Sequence, residues 1–378
     1  MAEEKLRGWD FWKSIGSPKY VCAPMVDQSE LAFRMLCRRY GTELAYTPML
    51  HSRMFSTQPK YRKEQFSTCP EDRPVFAQFC GDDPQTVLAA AKLLPPGSVD
   101  AVDLNCGCPQ GIARKGHYGA YLLSEPDVIE GIVSTLDKEL SVPSTVKIRL
   151  VNNHELQDTL NLVSRLEAAG ASVLCLHGRT KEMKGQFTGP ADWDAIAAVR
   201  KRVGIPLIAN GGIQTFQDVE RCLQATGANA VMSSEALLEY PALFCPTRSV
   251  YQDELALEYL ELAKLYQTPH KQIKAHMFHF LYAGLQLHTD LRQAFGEAKG
   301  WDQINAAAMA FQERRRQDRE LGNPWPDKGW YMRYREPLGK KRKADDAAGA
   351  TEASPKGDDV KVPRTEPNTP ESNEAESV

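Results

Sequence analysis

Short apolar runs alternate with segments of helical periodicity along the first two thirds of the chain. The apolar runs predict strands, and the segments in which apolar residues recur every three or four positions predict helices. The eight predicted strands are Tyr20–Ala23, Glu43–Tyr46, Val75–Phe79, Ala101–Leu104, Thr145–Ile148, Val173–Leu176, Pro206–Ala209 and Ala230–Met232. The helices predicted between them are Gln28–Tyr40, Pro84–Leu94, Pro126–Glu139, Glu155–Ala169, Trp193–Lys201 and Phe216–Thr226.

Alternation of this kind is typical of a parallel sheet. Eight strand–helix units in about 230 residues fit a (β/α)8 TIM barrel, which commonly takes ~250 residues. A doubly wound open sheet is the alternative, but no G-x-G-x-x-G fingerprint follows the first strand. The predicted fold class is therefore α/β, with an N-terminal lead-in over residues 1–19 and the barrel over residues 20–245.

After the barrel the chain shows helical periodicity alone. The predicted helices are Glu254–Gln267, Lys271–Leu287, Asp290–Ala298 and Asp302–Glu320. We expect residues 246–338 to form a C-terminal helical domain that ends in a basic and aromatic segment. Residues 339–378 contain almost no large apolar groups, so they cannot bury enough surface to offset their ordering entropy. They are predicted to be a disordered, charged tail.

The net charge of −3 is an average over unlike regions. Residues 313–343 carry eleven Lys and Arg against five Asp and Glu, whereas acidic residues predominate from Asp345 onward. A near-neutral chain can therefore still bind nucleic acid through a local basic patch. The run Lys340–Lys343 is either a nuclear localisation signal or a nonspecific RNA-binding segment, and the sequence favours neither.

Cysteine usage and hydropathy indicate the cellular setting. The nine cysteines are odd in number and irregularly spaced, and no apolar signal peptide precedes them, so we expect free thiols in a reducing compartment, the cytoplasm or the nucleus. No apolar run is long enough to predict a membrane span. The Cys106-x-Cys108 pair has no second Cys or His pair at zinc spacing, so no metal site is expected.

In a TIM barrel the active site lies at the carboxyl ends of the strands. The adjacent Gly211 and Gly212, followed by a helix start after the last strand, form either a phosphate site or two tight turns. Lys147 lies inside an apolar strand, where an ammonium group is costly to bury without an anionic or electron-rich partner such as a reduced flavin. These residues therefore favour a cofactor-binding site, but by themselves they do not identify the cofactor.

Cys108 and His177 each allow two interpretations. Cys108 could be a buried core thiol, but its place between Gly107 and Pro109 in a loop favours exposure, and a neutral thiol can donate a proton. His177 could be a structural histidine, although the Gly-Arg pair that follows it after a strand favours a functional role.

Several motifs occur together in a fixed order over residues 20–245. They read APM, QFCG, DLNCGCP, VKIRL, LHGRT and IANGGI, followed by a turn after the eighth strand. This ordered set resembles the dihydrouridine synthases, flavoenzymes that reduce specific uridines in transfer RNA. The segment MSSEALLEYPALF is most similar to the eukaryotic branch that acts on positions 16 and 17 of the D-loop.

The resemblance implies FMN as cofactor, NAD(P)H as reductant and tRNA as substrate. It implies flavin contacts for Pro24, Met25, Val26, Gln78, Lys147 and His177, and phosphate contacts for Asn210, Gly211, Gly212, Ser234 and Glu235. It makes Cys108 the general acid, and Asn105, Arg149 and Arg179 substrate contacts. Many family members have Gly-Arg at Ser234-Glu235, so here backbone amides must bind the phosphate and Glu235 is expected to point away.

Basic and aromatic residues near the C-terminus are interleaved in a way that favours RNA contact. They are Arg314, Arg315, Arg316, Arg319, Arg333, Arg335, Trp325, Trp330, Tyr331 and Tyr334. A solvated charged helix with a packed C-terminal segment is the alternative. Two other functions stay open: a flavin barrel dehydrogenase that acts on free pyrimidines, and a non-catalytic RNA-binding protein. The sequence leaves the exact uridine, the choice of NADH or NADPH and the oligomeric state undetermined; we expect a monomer.

Overall fold

The computed structural model describes residues 5–152, 155–323, 325, 329 and 331, without the side chain of Gln186. The predicted disordered tail lies outside the described residues, as does the basic run 340–343. The same holds for four of the predicted RNA contacts, Trp330, Arg333, Tyr334 and Arg335.

Parallel strands form a closed sheet at the centre of the fold. The strands are β1 Tyr20–Cys22, β2 Leu44–Tyr46, β3 Leu50–His51, β4 Val75–Cys80, β5 Ala101–Cys106, β6 Ser144–Arg149, β7 Val173–His177, β8 Leu207–Asn210 and β9 Ala230–Ser233. Hydrogen-bonded neighbours run in the order β2-β1-β9-β8-β7-β6-β5-β4, and a β2–β4 pairing closes the ring. The eight-stranded TIM barrel is therefore confirmed, and β3 is an additional short strand that pairs with the carboxyl end of β4.

Helices follow the strands as the periodicity predicted. Those of the barrel region are α1 Gly8–Ser14, α2 Leu31–Arg39, α3 Ser52–Thr57, α4 Pro59–Gln65, α5 Pro84–Ala91, α6 Gly111–Lys115, α7 Pro126–Glu139, α8 Leu156–Ala168, α9 Trp193–Arg202, α10 Phe216–Thr226 and α11 Glu235–Glu239. Short 3₁₀ turns span Gly119–Ser124 and Gly185–Phe187. After them come α12 Gln252–Leu265, α13 His270–Phe280, α14 Tyr282–Leu287, α15 Thr289–Glu297 and α16 Trp301–Glu320.

Local capping explains why some boundaries could be predicted to the residue. The Thr215 hydroxyl accepts from the backbone N–H of Asp218, whose carboxylate accepts from the backbone of Thr215, and α10 ends at Gly227 with φ +64°. This capping box and glycine C-cap are sequence-encoded stop signals. The predicted bounds of α10 and α7 coincide with those observed.

Three short helices were not predicted, and one predicted helix is wrong. The polar stretch 51–73 contains α3 and α4, which are too short to show an apolar period. The loop after β5 contains α6. The single helix predicted over Lys271–Leu287 is two helices, because the backbone leaves the helical region at Leu281, where ψ is 8°. The turn brings Gly284 against Phe311, and a Cβ on Gly284 would lie 2.5 Å from the Phe311 ring.

The barrel interior is apolar at its amino end and polar at its carboxyl end. Alternate residues of a strand point the same way, so the interior face of β4 carries Phe76 and then Gln78. Below the polar part, Phe11 and Trp12 of α1 pack into the interior cluster, with Phe11 stacked on Phe76 at 5.8 Å between ring centroids. Helix α1 thus closes the amino end, and polar chemistry can collect only at the other end.

A buried acid–base pair joins the barrel to the helices that follow it. Glu30, just before α2, accepts a hydrogen bond from the Tyr259 hydroxyl at 2.7 Å. Its second oxygen lies 3.0 Å from Nε2 of His276, which is fully buried and stacked on Phe33 at 4.6 Å. Burial alone raises the pKa of Glu30, but the charge and hydrogen bond of His276 bring that pKa below its usual value.

Two further predictions concern the domain boundary and membrane spans. The division into a barrel domain and a helical domain at residue 245 stays a prediction. Within the described residues, every helix is too short or too polar to cross a bilayer.

Replacing Glu30 with alanine should lower the free energy of unfolding by about 3–5 kcal/mol, because it leaves a buried imidazole without its carboxylate. The measurement is urea unfolding at pH 7. The pKa of Glu30 is lowered in the folded chain, so its contribution is present above pH ~4.3 and is lost as the pH falls through the folded value.

The matched control is Glu64→Ala on α4. The Glu64 side chain is exposed, and its one ion-pair partner among the described residues is Lys60, one helical turn away. Its removal should change the free energy of unfolding by less than about 0.5 kcal/mol. Equal losses in the two variants would contradict the structural role given to Glu30.

Candidate active site

Two adjoining cavities open at the carboxyl ends of the strands. The central cavity has a volume of about 410 Å³ and the glycine cavity, beside the β8 turn, about 220 Å³. They share seven lining residues: Pro109, Gln110, Arg149, His177, Asn210, Ser234 and Glu235. The two therefore form one cleft, whose size is within the range of roughly 300–1,000 Å³ that small-molecule sites occupy.

Every predicted site residue lines this cleft. The central cavity is lined by Pro24, Met25, Val26, Gln78, Asn105, Cys108, Lys147, Arg149, His177, Asn210, Ser234 and Glu235. The glycine cavity adds Arg179, Gly211 and Gly212. The orientation expected for Glu235 stays a prediction, since Glu235 borders both cavities.

The loop that carries Cys108 is held from strands β5 and β6. The Asn105 side-chain oxygen accepts from the backbone N–H groups of Gly107 at 3.1 Å and Cys108 at 3.0 Å. The Arg149 guanidinium donates to the Gly107 carbonyl at 2.8 Å, and the Ala120 N–H donates to the Cys108 carbonyl at 3.0 Å. The backbone on both sides of the thiol is therefore fixed.

The two cysteines of the motif have different surroundings. Cys106 is fully buried among apolar residues, and burial raises the pKa of its thiol. Cys108 is half-buried and is the one thiol among the described residues that line the cleft. Cys106 therefore packs in the hydrophobic core. The described residues include no group of three or more His, Cys, Asp or Glu side chains that could hold a metal ion.

Lys147 brings positive charge to the floor of the cleft. Its side chain is buried on β6 beside Asn105 of β5, and burial lowers the pKa of the amine. Its ammonium donates to the Asn210 side-chain oxygen at 2.9 Å, while the Asn210 amide donates to the Met232 carbonyl at 3.0 Å. An ammonium group has three donors, so Lys147 can offer further hydrogen bonds to a ligand.

Two arginines border the cleft beside Lys147. Arg149 donates to the Thr180 carbonyl at 2.9 Å, and burial together with neighbouring Arg179 lowers the pKa of Arg149 to about 10. Arg179 donates to the Gly189 carbonyl at 2.7 Å and lies 3.1 Å from Nε2 of His177. Three cationic side chains at one cleft favour an anionic or electron-rich ligand.

The turn after β8 requires both of its glycines. Gly211 and Gly212 have φ values of +104° and +82°. A Cβ on Gly211 would lie 2.8 Å from the His177 ring, and one on Gly212 would lie 3.3 Å from the Trp193 ring. The Trp193 indole N–H donates to the Gly211 carbonyl at 3.0 Å. A bare backbone at this point can approach an anion closely.

Sequence reasoning missed two side chains that shape the site. Asp103 lies one inward position below Asn105 on β5 and is fully buried. An acidic residue between Val102 and Leu104 is a charged residue inside an apolar strand, as Lys147 is, so the same signal could have identified Asp103. Lys184 donates to the Pro109 carbonyl across the glycine cavity, a contact that no local pattern announces.

The arginines of α16 differ from the surface that was expected. Arg315 is buried, pairs with Asp318 and lies over the Trp325 ring at 4.7 Å, so its predicted role in an exposed RNA surface is wrong. Tyr331 is buried as well. The other three pair with carboxylates: Arg314 with Asp290, Arg316 with Glu313 and Glu320, and Arg319 with Asp253. These carboxylates balance much of the helix's positive charge.

Most of the chain is similar to proteins of one known family. The family model for dihydrouridine synthase (Dus) matches residues 21–321, which include the helices up to α16 as well as the barrel. A Mus musculus protein named tRNA-dihydrouridine(16/17) synthase [NAD(P)(+)]-like is 47% identical over 317 residues, 83% of this chain and 66% of that protein. The Schizosaccharomyces pombe tRNA-dihydrouridine(16/17) synthase [NAD(P)(+)] is 44% identical over 79% of this chain and 77% of its own length.

A relative with a different position specificity is more distant. The Homo sapiens tRNA-dihydrouridine(20a/20b) synthase [NAD(P)+]-like protein is 33% identical over 267 residues, 69% of this chain and 81% of that protein. The chain spans just under two thirds of the length of the mouse relative.

Replacing Gly211 with alanine should lower the free energy of unfolding by about 1–3 kcal/mol, because the new Cβ meets the His177 ring at a positive φ. Gly111→Ala is the control, since a Cβ there meets nothing within 4 Å. That control should stay within about 0.5 kcal/mol of the parent in urea unfolding. A Gly211 variant as stable as the control would show that the turn tolerates a side chain.

Proposed function

Because the chain belongs to the dihydrouridine synthase family, we propose that it is a tRNA-dihydrouridine synthase that uses FMN and NAD(P)H to reduce the C5–C6 double bond of uridines 16 and 17. The observation that carries the proposal is Cys108, a half-buried thiol at the carboxyl end of β5 in a cleft floored by Lys147. The position specificity rests on the 16/17 relatives, which are more similar to this chain than the 20a/20b relative is.

The residues of the cleft fit FMN. Pro24, Met25 and Val26 offer apolar surface at the end of β1 and would line the isoalloxazine. Gln78, Lys147 and His177 would contact the ring system, since their side chains line the central cavity. The phosphate would bind in the glycine cavity, on backbone amides of Gly211, Gly212 and Ser234, with Asn210 and Glu235 beside it. Open backbone at two positive-φ glycines supports that placement.

The protein would supply a proton and an orientation. When bound, the flavin takes electrons from NAD(P)H and supplies the hydride for C6 of the uracil. The Cys108 thiol gives its proton to C5 on the same ring, and the fixed loop backbone holds that thiol in place. Asn105, Arg149 and Arg179 would contact the uracil, since all three line the cleft.

A uridine inside folded tRNA must leave its stack to reach this cleft, at a cost of about a few kcal/mol. Helix α6 lies at the cleft mouth, directly after Pro109 and Gln110, and it exposes the cations Arg114 and Lys115. We assign tRNA phosphate contacts to these two cations. The location in cytoplasm or nucleus, and the role of residues 340–343, stay predictions.

Replacing Cys108 with alanine should slow dihydrouridine formation by about 10²–10⁴-fold, because general acid catalysis at C5 is lost. Flavin content and NADPH oxidation should be unchanged. The measurement is single-turnover dihydrouridine formation with the prereduced holoenzyme and tRNA that lacks the modification.

The control is Cys245→Ala. Cys245 is also half-buried but follows α11, away from the cavity lining. It should react at the parent rate. Equal single-turnover rates for the Cys108 variant and the parent would remove Cys108 from the proton-transfer step.

The double variant Arg114→Ala/Lys115→Ala should bind tRNA more weakly and lose about 1.4–1.8 from the slope of log K against log salt, since two phosphate contacts disappear. The measurement is tRNA affinity over a salt series. Lys138→Ala/Lys201→Ala is the matched control, because these exposed lysines lie in the last turns of α7 and α9, at the opposite end of the barrel. If both double variants changed the slope equally, α6 would not be a specific contact.

A further inference from the structure

Asp103 is a buried carboxyl group that does not line either cavity of the cleft. It lies on the inward face of β5 with none of its surface exposed, and the cleft above it is lined by Asn105 instead. Burial raises the pKa of Asp103 to about 6, while hydrogen bonds from Thr145 and Gln78 act in the other direction. Since the folded pKa lies above the ordinary value, the carboxylate costs stability at neutral pH, and a charge kept at such a cost calls for a role other than stability.

Both oxygens of this carboxylate accept hydrogen bonds. The Thr145 hydroxyl donates to one at 2.6 Å, and the Gln78 amide nitrogen donates to the other at 2.8 Å. The contacts join residues that are neighbours across the sheet, because Asp103 lies in register with Gln78 of β4 and with Thr145 of β6. Asp103 is therefore connected to both adjacent strands.

The hydrogen bonds continue upward from Gln78 to the loop of Cys108. The Asn105 amide nitrogen donates to the Gln78 side-chain oxygen at 2.8 Å. The Asn105 oxygen then accepts from the N–H groups of Gly107 and Cys108. Four side chains and two backbone amides form one continuous chain of hydrogen bonds, which we call the Asp103 relay.

The direction of every bond in the relay follows from its two ends. A carboxylate only accepts, so Gln78 must turn its nitrogen toward Asp103 and its oxygen toward Asn105. That oxygen also only accepts, so Asn105 must donate to it and turn its own oxygen toward the loop. The backbone N–H groups of Gly107 and Cys108 only donate, which matches this orientation. An amide flip at either residue would place two donors or two acceptors face to face.

We propose that Asp103 is a positioning residue that fixes the orientation of the Gln78 and Asn105 amides and, through them, the backbone that carries Cys108. The consequence for proton transfer rests on the proposed function: a loosened loop would lower the rate at which Cys108 reaches C5 of the uracil. The positioning role itself concerns the free protein and needs no RNA.

Among the described ionisable groups near Asp103, three are neutral and one is charged. Tyr46 on β2 and Cys175 on β7 keep their protons, because burial raises the pKa of Cys175 to about 12 and holds the pKa of Tyr46 well above its usual value. Cys106 on β5 is also held neutral by burial. Lys147 on β6 is the remaining group, and its charge favours the carboxylate.

The test is amide hydrogen exchange at Gly107 and Cys108, resolved by fragmentation mass spectrometry of the free holoenzyme. Asp103→Ala removes the acceptor that orients Gln78, so both amides should exchange about tenfold faster. Gln78→Met interrupts the relay one step later with a side chain of similar length and should give the same increase. Thr145→Val is the matched control, since it removes a donor to Asp103 without touching Gln78, and its exchange should stay within about twofold of the parent.

Asp103→Asn tests rescue by a conservative variant. Its side-chain oxygen can still accept from Gln78 while its nitrogen donates to the Thr145 hydroxyl, so protection of the two amides should be kept. Protonated Asp103 has the same donor and acceptor pair as asparagine, so in the parent the protection beyond the intrinsic pH effect should also be kept as the pH drops through about 6. The parent and the Asp103→Asn variant should therefore show the same pH profile.

The outcomes separate this proposal from the proposed function. Faster exchange in Asp103→Ala and Gln78→Met, with parent behaviour in Thr145→Val, supports the relay even if the protein forms no dihydrouridine. Parent-like exchange in both Asp103→Ala and Gln78→Met overturns it. If Asp103→Ala does not fold, the exchange rate of Gln78→Met compared with that of Thr145→Val decides the matter alone.

Discussion

A closed barrel buries both faces of every strand, so each polar side chain that points inward must find its hydrogen-bond partners inside. This constraint organises the carboxyl end of the protein. Gln78, Asp103, Asn105 and Lys147 occupy inward positions of adjacent strands. The first three are joined by hydrogen bonds between neighbouring strands, and Lys147 donates to Asn210 on β8, two strands away. The strand register that builds the barrel therefore also sets the geometry of the cleft.

The cationic side chains of the cleft also need hydrogen-bond partners inside the protein. Lys147, Arg149 and Arg179 stay buried because each donates to an amide or carbonyl oxygen of the protein. These bonds hold the loops in place, and the charge that remains is directed at whatever enters the cleft. Scaffold and ligand recognition thus use the same side chains, which explains why polar residues at strand ends were informative in the sequence.

The barrel could be predicted because it follows from local signals, which are short apolar runs for strands and apolar residues at every third or fourth position for helices. The residues of the cleft could be predicted because they follow the ends of apolar strands and occur in motifs that resemble a known family. Contacts between residues that are far apart in the sequence could not be predicted. The partners of Glu30 lie 229 and 246 positions away along the chain, and α16 buries Arg315 although its local composition suggests an exposed surface. The orientation of side-chain amides could not be predicted either, because no pattern in the sequence shows which way the amide of Gln78 faces.

Phe11 and Trp12 fill the amino end of the barrel, so a ligand in the cleft has to enter from the carboxyl ends of the strands. Under the proposed function, the nicotinamide donor and the uridine would both approach the same flavin from that side. If they bind in turn, the reducing electrons stay on the enzyme between the two binding events.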